Sequence, residues 1–169
     1  MTTAIDISTP ELEALSRESV IAEARSWIGT PYHDSGAMVK QAGCDCASFL
    51  YCVYHTMGFI PDEEIGVFSQ DWFKHTTEEV YMRRVLRHAY KIVEKIAHAS
   101  MEAKPGNIVL VKGPDSKIFN HGGVVTKWPR VIAAAHPRVA EVNATKDELW
   151  TYKLVMVFDP WEKLKAENK

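Results

Sequence analysis

The chain has 169 residues, 46% of them hydrophobic and 25% charged, with a formal net charge of −2. That composition describes one globular domain able to bury its own core and argues against a disordered chain. Twenty Lys and Arg against 22 Asp and Glu leave no basic excess to hold nucleic acid. No apolar run approaches the ~20 residues of a membrane span, so no membrane insertion is expected. Three cysteines, two of them one residue apart, make a poor disulfide framework and fit a reducing compartment or a reactive thiol. Met1-Thr2-Thr3-Ala4-Ile5-Asp6-Ile7 carries neither the basic nor the apolar region of a secretory signal.

Thr9-Pro10-Glu11 marks a helix start, with Thr as N-cap, Pro at the first helical position and acids in the first turn. Leu12, Leu15, Val20, Ile21, Ala24 and Ile28 follow helical spacing as far as Gly29, with a division into two helices open at Ser16-Arg17-Glu18-Ser19. Residues 33–43 read as loop, with a short helical turn over 37–41. From Cys46 onward Phe49, Leu50, Val53, Tyr54 and Met57 repeat as on an amphipathic helix that ends at Gly58. Residues 61–70 form a polar, acidic loop, and Trp72 and Phe73 are expected to cover or line a groove. Another helix is expected from Thr76-Thr77 to about Ser100. It would bury Val80, Val85, Leu86, Ala89, Ile92, Val93 and Ile96 and expose a basic stripe of Arg83, Arg84, Arg87, Lys91 and Lys95.

Beyond Lys104-Pro105-Gly106 the pattern changes. Strand-length runs cover 107–111, 123–126, 131–135, 139–142 and 154–158, each bounded by turn residues or charge. The charged tail after Pro160 is expected to fray. Helices first and strands second predict an α+β fold with a mostly antiparallel sheet, in a single domain over 1–169.

The stretch Gly43-Cys44-Asp45-Cys46-Ala47-Ser48-Phe49-Leu50 puts Cys46 at the first turn of a helix. Unpaired N–H groups and the positive end of the helix dipole converge there and favour the nucleophilic thiolate. A cysteine nucleophile needs a base, and the base needs an orienting partner. Of seven histidines, His121 and His136 sit at strand edges. If a hairpin around Lys127-Trp128-Pro129-Arg130 sets Thr126 opposite Val131, His121 faces His136 with Cβ atoms about 4.5–5.5 Å apart. One would then serve Cys46 as base and the other would fix its tautomer. A one-residue slip breaks that pairing. The plainer alternatives are a small buried cysteine and two unrelated histidines. Cys44, Cys46, Cys52, His55, His121 and His136 are also zinc-ligand types. Cys-x-Cys is tight, however, and Cys52 lies on a different helix face from Cys46, a spacing that fits no ribbon or finger.

Five motifs in order resemble the NlpC/P60 cysteine peptidases: Gly29-Thr30-Pro31-Tyr32, Asp45-Cys46-Ala47-Ser48-Phe49, Pro105-Gly106-Asn107-Ile108-Val109, His121-Gly122-Gly123-Val124-Val125, and His136. The run Glu23-Ala24-Arg25-Ser26-Trp27-Ile28-Gly29-Thr30-Pro31-Tyr32, with Gly43-Cys44-Asp45-Cys46, looks like the cell-wall peptidases of tailed-phage and gene-transfer-agent clusters. The likeness spans roughly 19–158. It implies a papain-like α+β core and hydrolysis of an amide bond in peptidoglycan stem peptides, commonly D-γ-glutamyl to a diamino acid, without a cofactor. It implies Cys46 as nucleophile, His121 as base and His136 as the third polar residue. Tyr32 would help hold substrate or the oxyanion, and Asp45 would meet a substrate amine. It further implies a virion-associated protein, or a cytoplasmic one before release, with phage tail proteins as partners. Asp45-Cys46-Ala47-Ser48 replaces the usual Asp-Cys-Ser-Gly, His33-Asp34-Ser35-Gly36 follows the tyrosine in place of Trp-Gly-Gly, and Pro105-Gly106-Asn107 replaces Pro-Gly-Asp. An acyltransferase, or an interaction protein with little activity, would fit the same residues.

Overall fold

Thr9 caps the first helix as its sequence dictates, its side chain accepting from the Leu12 amide at 3.3 Å. A computed structural model describes residues 5–34, 37–66, 72–98, 100–113, 115–150 and 153–168. Part of the acidic loop, residues 67–70, and Asp71, Ser35 and Gly36 lie outside the described residues. The elements are α1 (Pro10–Ser26), β1 (Met38–Val39), β2 (Gly43–Cys44), α2 (Cys46–Thr56), a 3₁₀ turn (Trp72–Lys74), α3 (Val80–His88), β3 (Tyr90–Ile96), β4 (Ile108–Val111), β5 (His121–Lys127), β6 (Arg130–Ala135), β7 (Arg138–Asn143), β8 (Leu154–Asp159) and α4 (Pro160–Glu167).

Six strands form one antiparallel sheet in the order β3-β8-β4-β5-β6-β7. Both faces are covered. Leu110, Val124, Ile132 and Phe158 pack with Val20, Phe49 and Val53 of α1 and α2, while Val111, Val125, Val131 and Val155 pack around Trp150 on the far side. Burial on both faces is why the strands read as nearly continuous apolar runs rather than as alternation. The fold is α+β with an antiparallel sheet, as the order of helices and strands predicts.

One open alternative is decided and three expectations are corrected. First, α1 is one unbroken helix. Arg17 does not divide it but is buried, bonded to Glu13, to Asp159 and to the Pro105 carbonyl, with its guanidinium 4.1 Å from the Trp161 ring. Second, residues 37–41 hold no helical turn; β1 pairs with β2, with Met38 opposite Cys44 and Val39 opposite Gly43. Third, the long helix to Ser100 stops at His88. Ala89 turns extended at φ −149° and ψ 150°, and β3 hydrogen-bonds along the edge of β8. Helical periodicity lost there to pairing with an open strand, which suits the β-branched Ile92 and Val93. Leu86 and Ile92 are accordingly exposed; the side chain of Ile96 lies outside the described ones. Fourth, the tail after Pro160 is helical: Asp159 caps α4, accepting from the Trp161 amide at 2.9 Å, and Trp161 is fully buried.

The β5–β6 register also differs. Gly123 pairs with Ala133, Val124 with Ile132 and Val125 with Val131, and the ladder shifts before Lys127 meets Arg130. Thr126 is the extra residue of a bulge and is not opposite Val131.

Candidate active site

The approach to Cys46 is set by backbone. The Cys44 amide donates to the Pro31 carbonyl at 3.1 Å and the His33 amide donates to the Cys44 carbonyl at 2.9 Å, which holds Tyr32 beside Asp45 and Cys46. Asp45 is the N-cap of α2 and Cys46 its first residue. The Ser48 amide donates to Asp45 Oδ1 at 2.7 Å and the Asp45 amide donates to Ser48 Oγ at 2.8 Å, a reciprocal capping box. Asp45, assigned from resemblance to a substrate amine, therefore has a structural duty, though it also borders the cleft.

Cys46 is half-buried in the wall of a cavity of about 230 Å³. Tyr32, Tyr81, Asn120 and His121 line the same cavity, which extends over Ile60 and Ile65 to Trp72 and Phe73. The two aromatic residues thus line a groove, one of the two roles expected for them. The Cys46 thiol donates to the Asn120 carbonyl at a long 3.7 Å, and the Tyr81 hydroxyl donates to the Cys46 carbonyl at 3.1 Å. Burial pushes the thiol up to about 12, and the Asp45 charge adds to that; Tyr81 and the amides of Cys46 and Ala47 oppose it. The helix start does act on the sulphur, but burial outweighs it, so Cys46 rests as a thiol at neutral pH. Cys44 and Cys52 are likewise pushed up, to about 12 and about 11, chiefly by burial.

His121 shares the cleft but opens β5 on the face away from α2. Its ring meets Trp150 edge-on, centroids 5.4 Å apart, and Trp150 belongs to the far core. Burial lowers its imidazole to about 4, and among the described residues its Nε2 is buried without a hydrogen-bond partner. The observed register, carried two residues past Gly123–Ala133, sets His121 opposite Ala135 rather than His136. His136 is exposed in the β6–β7 turn, with its ring centroid 4.3 Å from that of Tyr32. The predicted His121–His136 pair is thus not formed, because the bulge at Thr126 slips the ladder by one residue. Half-buried Tyr32 does stand beside Cys46 in the cavity wall. Its phenol is raised above the usual range, first by burial and then by the charges of Cys46, Asp34 and Asp45.

Tyr81 escaped the sequence reading. Its signal was present: it lies four residues before buried Val85, on the same face of α3. Among the described residues no three His, Cys, Asp or Glu side chains converge as metal ligands would.

No protein-family model matches the chain, and no curated protein matches it in sequence. Solved structures share its fold. The NlpC/P60 domain of the peptidoglycan hydrolase SagA superposes with a TM-score of 0.53 at 20% identity, over 83% of this chain and 97% of that one. A Staphylococcus aureus NLP/P60-family protein, described as similar to a lipoprotein, gives 0.55 at 15% identity, over 94% of this chain but only 43% of its own. The peptidoglycan hydrolase RipB from Mycobacterium tuberculosis gives 0.52 at 17% identity, over 86% and 66%. The fold is that of NlpC/P60 domains, and at these identities the likeness is one of fold.

Proposed function

We propose that the protein is a cysteine hydrolase of peptidoglycan stem peptides. The observation that carries this reading is Cys46 at the first position of α2, in the wall of a cleft it shares with His121, within an NlpC/P60 fold. In the proposed reaction Sγ of Cys46 attacks the substrate carbonyl carbon while its proton passes to His121. The C–S bond forms, the oxyanion is held by backbone N–H at the start of α2 and by Tyr32, and the C–N bond breaks as His121 returns the proton to the leaving amine. Water then cleaves the thioester. Asp34 and Asp45 line the cleft and offer negative charge to an amine on the substrate. We assign the bond as D-γ-glutamyl to a diamino acid and the setting as a phage tail, on the sequence resemblance.

A second reading is favoured by one observation. Ala135 and Ala133 occupy the β6 positions from which a side chain would orient His121, and neither can. Both members of the dyad rest neutral. A protein that binds stem peptides and hydrolyses them slowly or not at all fits that arrangement.

Mass spectrometry of muropeptides released from purified sacculi by wild-type and Cys46→Ala protein separates the two. Fragments released only by wild type support the hydrolase. Sacculi that retain the protein and release nothing support binding alone. Equal release by both proteins overturns the role of Cys46.

A further inference from the structure

We propose that Tyr81 is a positioning residue for the Cys46 thiolate, its hydroxyl turning from the backbone carbonyl to the sulphur as the thiol ionises. The proposal rests on reading Cys46 as the reactive group. Three observations place Tyr81 for this task.

The first is contact. The Tyr81 hydroxyl donates to the Cys46 carbonyl at 3.1 Å, and both residues line the same cavity. The carbonyl is that of the first helical residue, so the Leu50 amide one turn on still satisfies it when the hydroxyl leaves. A phenolic hydroxyl can turn about its C–O bond to suit its acceptor, and one proton can serve either.

The second is anchorage. Tyr81 is buried, and Glu79 at the start of α3 accepts from the Phe119 amide at 2.9 Å. Phe119 precedes Asn120 and His121. One short helix therefore braces the nucleophile with its hydroxyl and the segment leading to the base with its carboxylate.

The third is need. His121 faces Trp150, and Asp45 opposes ionisation of the thiol. Apart from the amides at the start of α2, Tyr81 is the donor that acts on the sulphur to favour its charged form. Burial holds its own phenol proton well above the usual range, so Tyr81 donates a hydrogen bond and keeps its proton. The thiol proton goes to the base, and no proton moves to or from Tyr81.

The test reads the thiol rather than hydrolysis, so it stands or falls separately from the peptidase reading. Iodoacetamide alkylation of Cys46 and Cys52 is followed by peptide mass mapping from pH 7 to 11 in wild type and Tyr81→Phe. The expected result is a Cys46 profile moved upward by about one pH unit, alkylation at pH 8 slowed about tenfold, and an unchanged Cys52 profile. An unmoved Cys46 profile, or equal shifts at both cysteines, overturns the proposal. Should Tyr81→Phe fail to fold, fluorotyrosine at position 81 keeps the shape and makes a stronger donor. It should move the Cys46 profile downward, and no movement overturns the proposal.

Discussion

Asp45 and Ser48 cap one another across the first turn of α2, carboxylate to amide at 2.7 Å and amide to hydroxyl at 2.8 Å. The departure from Asp-Cys-Ser-Gly thus has a local reason: serine in the fourth position closes the box, and glycine would lose the bond from the Asp45 amide. Ser48→Gly should lower stability by about 1–2 kcal/mol, through the lost bond and the greater freedom of glycine. Urea unfolding followed by circular dichroism measures this.

Asp45→Asn separates the cap from the charge. Asparagine caps about as well as aspartate, so stability should change by less than about 0.5 kcal/mol. The negative charge that opposes ionisation of Cys46 disappears. Alkylation of Cys46 at pH 8 should therefore quicken several-fold. A slower reaction would mean that the carboxylate helps the sulphur rather than hindering it.

The ion pair of Arg17 and Asp159 joins the two ends of the chain at 2.9 Å, with both side chains buried. Asp159 also caps α4, and Trp161 packs against the guanidinium. Removing one partner strands the other in the core. Asp159→Ala should cost about 3–5 kcal/mol, and Arg17→Met a similar amount. Thermal melts and urea midpoints check both, and a loss below about 1 kcal/mol would show the pair to be dispensable.

Local chemistry made much of this legible in sequence. Thr9-Pro10, the apolar stripe of α2 and the β-branched runs of β4 to β8 each state their element within a few residues. What escaped depended on distant partners. Tyr90–Ile96 is a strand because β8 has an open edge, and the tail is a helix because Trp161 has a core to enter. The hairpin was foreseen but not its bulge, since nothing near Thr126 announces the extra residue. That slip matters at the site, because the register continued past Gly123–Ala133 sets Ala135 rather than His136 opposite His121. Cys46 was read correctly as the start of its helix, while the competing effect of burial required the surrounding fold.

His121 gives folding a pH dependence whose sign is fixed by its environment. The free imidazole titrates near 6.5 and the folded one near 4. Between those values the unfolded chain binds the proton and the folded chain does not. The contribution is therefore complete above about pH 6.5 and is lost as pH falls through 4. A shift of that size corresponds to about 3 kcal/mol. His121→Gln should flatten the fall of the urea midpoint across this window relative to wild type. Equal slopes in the two proteins would assign the acid sensitivity to other groups.

Ala135→Asn tests whether the proposed Cys46–His121 dyad lacks only its third member. Continued two residues past Gly123–Ala133, the ladder would set a side chain at 135 opposite His121, with Cβ atoms about 4.5–5.5 Å apart, within reach of an asparagine amide. Position 135 is only partly buried, so the larger side chain has room. An amide oxygen accepting from one ring nitrogen would fix the tautomer and favour the protonated ring. The imidazole should then titrate closer to its usual range, visible by NMR, and muropeptide release should rise at least several-fold at pH 7. Titration restored without faster release would show that His121 can be oriented and still not serve Cys46, and would favour the binding reading. An unchanged imidazole would mean that the ladder does not continue to residue 135. Restored titration together with faster release would identify the alanine, rather than the depth of the thiol, as what limits the site.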